Sequence, residues 1–183
     1  LCLAEPNLFR TQLRALLRAS VFGTLQVMFP MITHLGQVLE IKARIAQVKA
    51  ELDAQGIAYS GDIQFGIMIE TPAAAVMSDE LAREVDFFSI GTNGLTQYTM
   101  AADRMNARIR DIFNPADPAV LRFIEMTAIS AHKNGIWVGI CCEFVEFIVL
   151  FIVYFVARAH FPEAFEQGAE RLSRTAGTTI TLL

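Results

Sequence analysis

The sequence predicts an α/β fold built on a parallel sheet, and three observations predict it. Segments with helical periodicity alternate with short apolar segments in the order α-β-α-β-α-β-α-β. The apolar segments are continuously apolar, which is typical of parallel strands buried on both faces. Polar residues gather directly after them, at the end where (β/α)8 barrels carry their chemistry. Part of a (β/α)8 TIM barrel and a doubly wound sheet both fit this alternation, although no GxGxxG motif opens a helix.

The first half of the chain contains two predicted helices around one predicted strand. Residues 7–20 are predicted to form a helix whose inner face carries leucines: Leu8, Leu13, Leu16 and Leu17. Residues 24–32 form an apolar run of strand length. Residues 34–55 carry apolar side chains at helical spacing: Val38, Ile41, Ile45, Val48 and Leu52. Gly56 follows, at a position where glycine commonly ends a helix.

The middle of the chain contains the second and third predicted strands. Residues 63–69 form the second strand. Thr71 then supplies a helix N-cap and Pro72 a first-turn proline, so we expect a helix from there to about Glu84. Residues 85–90 form the third strand.

A fourth helix and a fourth strand follow. Asp117 and Pro118 open the helix. Its inner face is predicted to carry four apolar residues: Leu121, Ile124, Ala128 and Ala131. Gly135 closes it, and residues 136–141 form the last strand.

The amino-acid composition limits the binding partners and the cellular compartment that we expect for this protein. The net charge is −4 and the charges are interspersed without a basic face, so we expect no nucleic-acid partner. The three cysteines, Cys2, Cys141 and Cys142, are odd in number and include an adjacent pair. This usage favours a reducing compartment, and we expect a cytoplasmic protein. The N-terminal residues lack a signal-peptide pattern and a starting methionine, so we expect the chain to begin inside a longer protein.

Four polar side chains near the predicted strand ends are candidates for chemistry. Glu70 could bind Mg²⁺ or simply favour the N-terminus of the next helix. Asn93 lies in a predicted polar turn, residues 91–94, and could bind a ligand or only shape the turn. Arg104 suits carboxylate or phosphate but could be solvated. Cys141 could be a proton donor or a small buried apolar residue.

Three motifs connect these residues to a known family. GIMIETPAAA occupies residues 66–75, DFFSIGTN-x-LTQYTMA-x-DR residues 86–104, and WVGIC-x-E residues 137–143. Together they resemble enzyme I of the phosphoenolpyruvate:sugar phosphotransferase system, in its C-terminal phosphoenolpyruvate-binding barrel. MFPMI at residues 28–32 is similar to that family too, and the resemblance covers roughly residues 7–143. It implies a partial TIM barrel with about four of the eight strands.

Two related enzymes share part of this pattern. Pyruvate phosphate dikinase and phosphoenolpyruvate synthase have the same barrel and the GTN-x-LTQ core. The continuation YTMAADRMN, residues 98–106, is more similar to enzyme I.

The resemblance implies a phosphoenolpyruvate-protein phosphotransferase. Enzyme I takes the phosphoryl group from phosphoenolpyruvate onto a histidine of its N-terminal domain and passes it to a histidine-containing phosphocarrier protein, which serves sugar transport. By the same resemblance, Glu70 is a magnesium ligand, Asn93 and Arg104 contact phosphoenolpyruvate, and Cys141 is the proton donor that yields pyruvate. The barrel forms a homodimer in that family.

The chain departs from the family pattern at two positions of the site. Gly94 stands where the family has an aspartate that is the second carboxylate on magnesium, so we expect weak metal binding and impaired turnover. Cys142 stands where the family has glycine, beside the proposed proton donor. A non-catalytic remnant that at most forms dimers is therefore an alternative to an active enzyme.

The similarity ends after Glu143. We therefore divide the chain into a partial barrel, residues 1–143, and a divergent hydrophobic and Thr-rich tail, residues 144–183. Residues 147–157 are uncharged and apolar, but they are too few to span a bilayer, so we expect no membrane span. We hypothesise that the abrupt change reflects a frameshift, a degraded gene or a sequencing error.

Overall fold

Four short apolar segments form the strands of one parallel sheet in a computed structural model, which describes residues 3–103, 105–106 and 108–141. The strands are β1 (Gln26–Phe29), β2 (Gln64–Ile69), β3 (Phe87–Gly91) and β4 (Trp137–Cys141). Their order in the sheet is β1-β2-β3-β4, and every neighbouring pair is parallel. Each crossover therefore moves to the next strand in one direction, as in a barrel, whereas a doubly wound sheet reverses direction. The predicted α/β class is confirmed, and the described strands follow the barrel alternative.

Six helices connect or precede these strands in the described part of the chain. They are α1 (Pro6–Ala19), α2 (Leu35–Ala54), α3 (Pro72–Val76), α4 (Ser78–Leu81), α5 (Thr92–Met100) and α6 (Pro118–Lys133). Short 3₁₀ turns lie at Ser20–Phe22 and Arg110–Ile112. The predicted helix caps are confirmed at two places. Thr71 Oγ1 accepts a hydrogen bond from the Ala74 N–H, and Asp117 Oδ1 accepts one from the Ala119 N–H.

The helices bury one face each against the sheet. In α2 the five predicted apolar residues are all buried, from Val38 to Leu52. The buried face of α1 is Phe9, Leu13 and Leu17, and the predicted Leu8 is 51% exposed. In α6, Val120 is buried and the predicted Leu121 is 50% exposed. Both errors are shifts of one residue, which turns a side chain by about 100° around a helix.

The helix-facing side of the sheet forms the apolar core. Ile67 of β2, Phe88 of β3 and Val138 of β4 are register partners across three strands. Ile67 and Phe88 are almost completely buried, and Val138 packs partly buried against the same cluster. This layer of side chains fixes the register, because a slip of one residue would move them to the other face.

The opposite side of the sheet carries a second set of register partners. Met68, Ser89 and Gly139 are register partners there. Two residues earlier along the strands, on the same side, the rings of Phe87 and Trp137 stack with their centroids 4.5 Å apart. The Phe87 ring leaves no room for a side chain at Gly66. Trp137 remains 45% exposed at the outer strand β4.

The helix predicted after β2 differs from the observed structure. The single helix predicted from Pro72 to Glu84 is broken at Met77 into α3 and α4. Ser78, directly after the break, is fully buried and its hydroxyl donates to Ser130 Oγ of α6 at 2.8 Å. Packing against α6 thus overrides the local helical preference of this segment.

Candidate functional site

The carboxylate of Glu70 lies at the carboxyl end of β2, where the sequence predicts a ligand-binding side chain. Glu70 directly follows Ile69, the last residue of the strand, and is half-buried. Its Oε1 accepts a hydrogen bond from the backbone N–H of Met31 at 2.7 Å. Met31 belongs to the loop after β1, so Glu70 connects the carboxyl ends of two neighbouring strands.

Two glycines let the start of α5 approach Glu70 closely. An ideal Cβ atom on Gly94 lies 2.9 Å from Glu70 Oε2 and 3.1 Å from Glu70 Cβ. An ideal Cβ atom on Gly91 lies 3.0 Å from Glu70 Cβ and 2.8 Å from Met68 Sδ. Real Cβ atoms do not come this close to their neighbours, so a side chain at either position requires Glu70 or Met68 to move. The second carboxylate oxygen of Glu70 is therefore directed at Gly94.

The segment predicted as a polar turn is the first turn of a helix. Gly91 ends β3 and is the N-cap of α5, which begins at Thr92 and includes Asn93 and Gly94. The polar and glycine residues resemble a turn locally, but burial of Leu95 against the core selects the helix. Asn93 is half-buried in this first turn, one residue before Gly94.

Cys141 ends β4 at the same level of the sheet. It is the register partner of Gly91, and Gly91 in turn lies against Glu70. The backbone positions of Glu70, Gly91 and Cys141 thus form a row across the carboxyl ends of three adjacent strands. The sequence prediction that Glu70 and Cys141 lie at strand ends is confirmed. Arg104, the other predicted contact, lies outside the described residues.

The loop between β1 and α2 is held on both sides. The Thr71 hydroxyl donates to the Ile32 carbonyl oxygen at 3.0 Å while it caps α3. At the other end, Gln37 Oε1 accepts the backbone N–H of Thr33 at 2.8 Å. Met31 directly precedes these two restrained residues and has a left-handed φ of 57°. Sequence reasoning missed Met31, because its contribution comes from the backbone and its side-chain type carries no signal.

The donor set fits a hard divalent cation with one carboxylate. Within residues 3–103, 105–106 and 108–141, no group of three or more His, Cys, Asp or Glu side chains could hold a metal ion. Mg²⁺ commonly uses one or two protein carboxylates and takes its other ligands from water and substrate phosphate. Glu70 meets this minimum, and Gly94 adds no carboxylate to it.

None of the helices in the described part of the chain is both long and apolar enough to cross a membrane. The apolar segment at residues 147–157, like the rest of the predicted tail, lies outside the described residues.

The fold and the site define a class of protein: an α/β barrel-type domain with a half-buried carboxylate at the carboxyl end of its strands. Residues 1–150 match the family described as "PEP-utilising enzyme, PEP-binding domain". The chain belongs to this family.

Two relatives with the same printed name agree with this assignment. The chain is 53% identical over 143 residues to "Phosphoenolpyruvate-protein phosphotransferase" of Priestia megaterium. The aligned region covers 78% of this chain and 25% of that protein. The chain is 54% identical over 143 residues to the protein of the same name from Bacillus subtilis strain 168, with the same coverage. The chain thus spans about a quarter of the length of these relatives.

The fold is similar to a crystal structure described as a citrate lyase from Burkholderia xenovorans LB400. The TM-score is 0.55 at 23% sequence identity, over 72% of this chain and 40% of that one. This likeness concerns the fold alone.

Proposed function

We propose that this chain is the phosphoenolpyruvate-binding part of a phosphoenolpyruvate-protein phosphotransferase. The whole protein would transfer the phosphoryl group of phosphoenolpyruvate to one of its own histidines and then to a histidine-containing phosphocarrier protein, in the cytoplasm, for sugar transport. The observation that carries the proposal is the row of Glu70, Gly91 and Cys141 across adjacent strand ends. The names of the relatives favour this enzyme over pyruvate phosphate dikinase or phosphoenolpyruvate synthase.

Each site residue has a proposed role. Asn93 and Arg104 contact the carboxylate and phosphate of phosphoenolpyruvate. Glu70 binds Mg²⁺, which neutralises phosphate charge when it is bound. When the phosphoryl group leaves, the remaining enolate needs a proton on its terminal carbon. Cys141 Sγ donates that proton and pyruvate results.

Gly94 favours a second candidate, a site that binds weakly and does not turn over. A carboxylate at position 94 would lie beside Glu70, because the position of its Cβ is only 2.9 Å from Glu70 Oε2. Without it, one protein carboxylate must hold the cation. A non-catalytic remnant that forms dimers through its barrel is the limiting case of this candidate.

The decisive experiment compares the full 183-residue chain with its Gly94→Asp variant. Phosphoenolpyruvate is titrated into each protein by calorimetry, with Mg²⁺ present and then with the metal chelated. We expect the wild-type chain to bind weakly and the variant to bind about tenfold tighter in the presence of Mg²⁺, since even changes beyond the metal ligands alter affinity by that factor.

Gly94→Asn is the matched control, because it has the size of aspartate without the charge. It crowds Glu70 equally and should not improve Mg²⁺-dependent binding. If neither the wild-type chain nor Gly94→Asp binds phosphoenolpyruvate, the proposal is wrong for this chain. If Gly94→Asn binds as well as Gly94→Asp, the second carboxylate is not what the site lacks.

A further inference from the structure

We infer that Met31 is a positioning residue for Glu70, acting through its backbone and not through its side chain. The inference rests on the proposed function only in its statement that Glu70 binds a metal ion. The contact itself is a property of the folded chain.

The geometry of the contact is specific. The Met31 N–H donates to Glu70 Oε1 at 2.7 Å, at the short end of the usual range for N–H···O hydrogen bonds. This bond orients one oxygen of the carboxylate toward the β1–α2 loop. The other oxygen, Oε2, is left over Gly94 at the ligand end of the sheet. The backbone N–H of Met31 thereby fixes the orientation of the Glu70 carboxylate, with one oxygen toward the loop and the other toward Gly94.

The backbone conformation at Met31 is one that methionine rarely adopts. Its φ is 57°, in the left-handed region that favours glycine and asparagine. The side chain does not explain this conformation, since it is 48% exposed. Residues in such conformations persist only where the surroundings impose them, and they concentrate at functional sites.

The surroundings of Met31 do impose its conformation. The residue after Met31, Ile32, is buried, and its carbonyl oxygen accepts a hydrogen bond from the Thr71 hydroxyl. Gln37 holds Thr33 in the same loop. Glu70 and Thr71 are consecutive, so both bonds tie the β1–α2 loop to the same end of β2.

The experiment uses the full 183-residue chain and variants at position 31 that differ in their preferred backbone conformation. Met31→Gly accepts a left-handed φ without cost, whereas Met31→Val opposes it through its branched Cβ. Mn²⁺, a paramagnetic substitute for Mg²⁺, is titrated with electron paramagnetic resonance as the readout. We expect Met31→Gly to retain the wild-type affinity and Met31→Val to lose about tenfold, the usual effect of removing a group that orients a metal ligand.

Ala101 provides the matched control. It is the other non-glycine residue with positive φ among the described residues, at 50°, and it caps the far end of α5. Ala101→Val imposes similar backbone strain away from Glu70. It should lower the melting temperature as Met31→Val does, and leave Mn²⁺ affinity unchanged.

A second readout needs no ligand. In ¹⁵N-labelled protein the Met31 amide proton should resonate downfield and move upfield in Glu70→Gln, because a neutral amide oxygen is a weaker acceptor than a carboxylate. An unchanged Met31 signal overturns the inference, as do equal Mn²⁺ affinities for Met31→Gly and Met31→Val. If Mn²⁺ and phosphoenolpyruvate do not bind the wild-type chain but the Met31 signal responds to Glu70→Gln, the positioning contact is supported and the proposed function fails.

Discussion

Gly66 lies in β2 directly beneath an aromatic pair, and its lack of a side chain is a packing requirement. An ideal Cβ atom there lies 2.4 Å from Phe87 Cε2, and the Phe87 ring is stacked on Trp137. The ring cannot move away without losing that stacking. The GIMIE motif therefore begins with a residue that the sheet needs, independent of any ligand.

We predict that Gly66→Ala destabilises the chain by about 1–3 kcal/mol, the usual cost of overpacking a packed interior. Urea denaturation followed by circular dichroism measures the change. Gly61→Ala is the control, since nothing lies within 4 Å of a Cβ at that position. Equal stabilities for the two variants would show that Phe87 adjusts freely.

Glu70 and Gly94 show how much of the site a sequence can predict at the residue scale. The placement of Glu70 at a strand end follows from the apolar run before it. That Gly94 lies against Glu70 Oε2 does not follow, because the contact joins residues 24 positions apart in the sequence. The roles of Glu70, Asn93, Arg104 and Cys141 stay predictions.

At the scale of elements, Thr71 joins β2, α3 and the β1–α2 loop. Its hydroxyl is buried, caps α3 and bonds to the β1–α2 loop. The N-cap was predicted from the Thr-Pro pair. The bond to Ile32 O was not, because it depends on the pairing of β1 with β2.

We predict that Thr71→Val destabilises the chain by about 1–3 kcal/mol, because it leaves two buried backbone groups without partners. Thr71→Ser keeps both bonds and should lose less. Thermal unfolding by calorimetry compares the two. A Thr71→Val variant that loses no more stability than Thr71→Ser would contradict the assignment of the effect to the two hydrogen bonds.

A second junction joins α4 to the end of α6 by charge. Asp79 Oδ1 accepts from Lys133 Nζ at 2.9 Å and from Asn134 Nδ2 at 3.1 Å, and Oδ2 pairs with Arg83. The hydrogen bond from Lys133, followed by the bond from Asn134, lowers the pKa of Asp79 below its ordinary value of 3.8. The ionised form is thus favoured in the folded state.

This lowered pKa predicts the sign of a pH dependence. The stability contributed by Asp79 is fully present above pH 3.8 and is lost as the pH falls through the lower folded value. Asp79→Asn should lower the urea midpoint at neutral pH and reduce the loss of stability on acidification. Glu80→Gln, on the exposed side of α4, is the control and should lower the urea midpoint at neutral pH less than Asp79→Asn does. An unchanged acid limb in Asp79→Asn would contradict the assignment.

At the scale of the whole molecule, Leu1–Cys141 form one compact unit by their internal contacts. One apolar cluster joins α1 to α6 through the sheet, from Phe9 to Ala131. Within the described residues, β1 and β4 are the outer strands of that sheet. Outer strands expose unpaired backbone groups, which makes such a sheet prone to association.

We predict that this unit unfolds in a single cooperative transition, since the cluster is continuous. Trp137 is the only tryptophan and is 45% exposed beside Phe87, so its fluorescence reports on β3 and β4. Urea transitions followed by Trp137 fluorescence and by far-ultraviolet circular dichroism should coincide. Separated transitions would show that α1 and α2 unfold independently of the other strands.

The sequence by itself determined the α/β class, the four strands, the caps at Thr71 and Asp117, and the family. These features depend on local periodicity, on short-range hydrogen bonds and on motif order. Only the tertiary structure decided that residues 92–94 are helical and that α3 and α4 separate at Met77. It also decided that Glu70 accepts a hydrogen bond from the Met31 N–H and lies against Gly94. Each of these depends on the register between neighbouring strands or on packing against a distant helix. Local preferences of a few tenths of a kcal/mol per residue are too weak to decide such contacts.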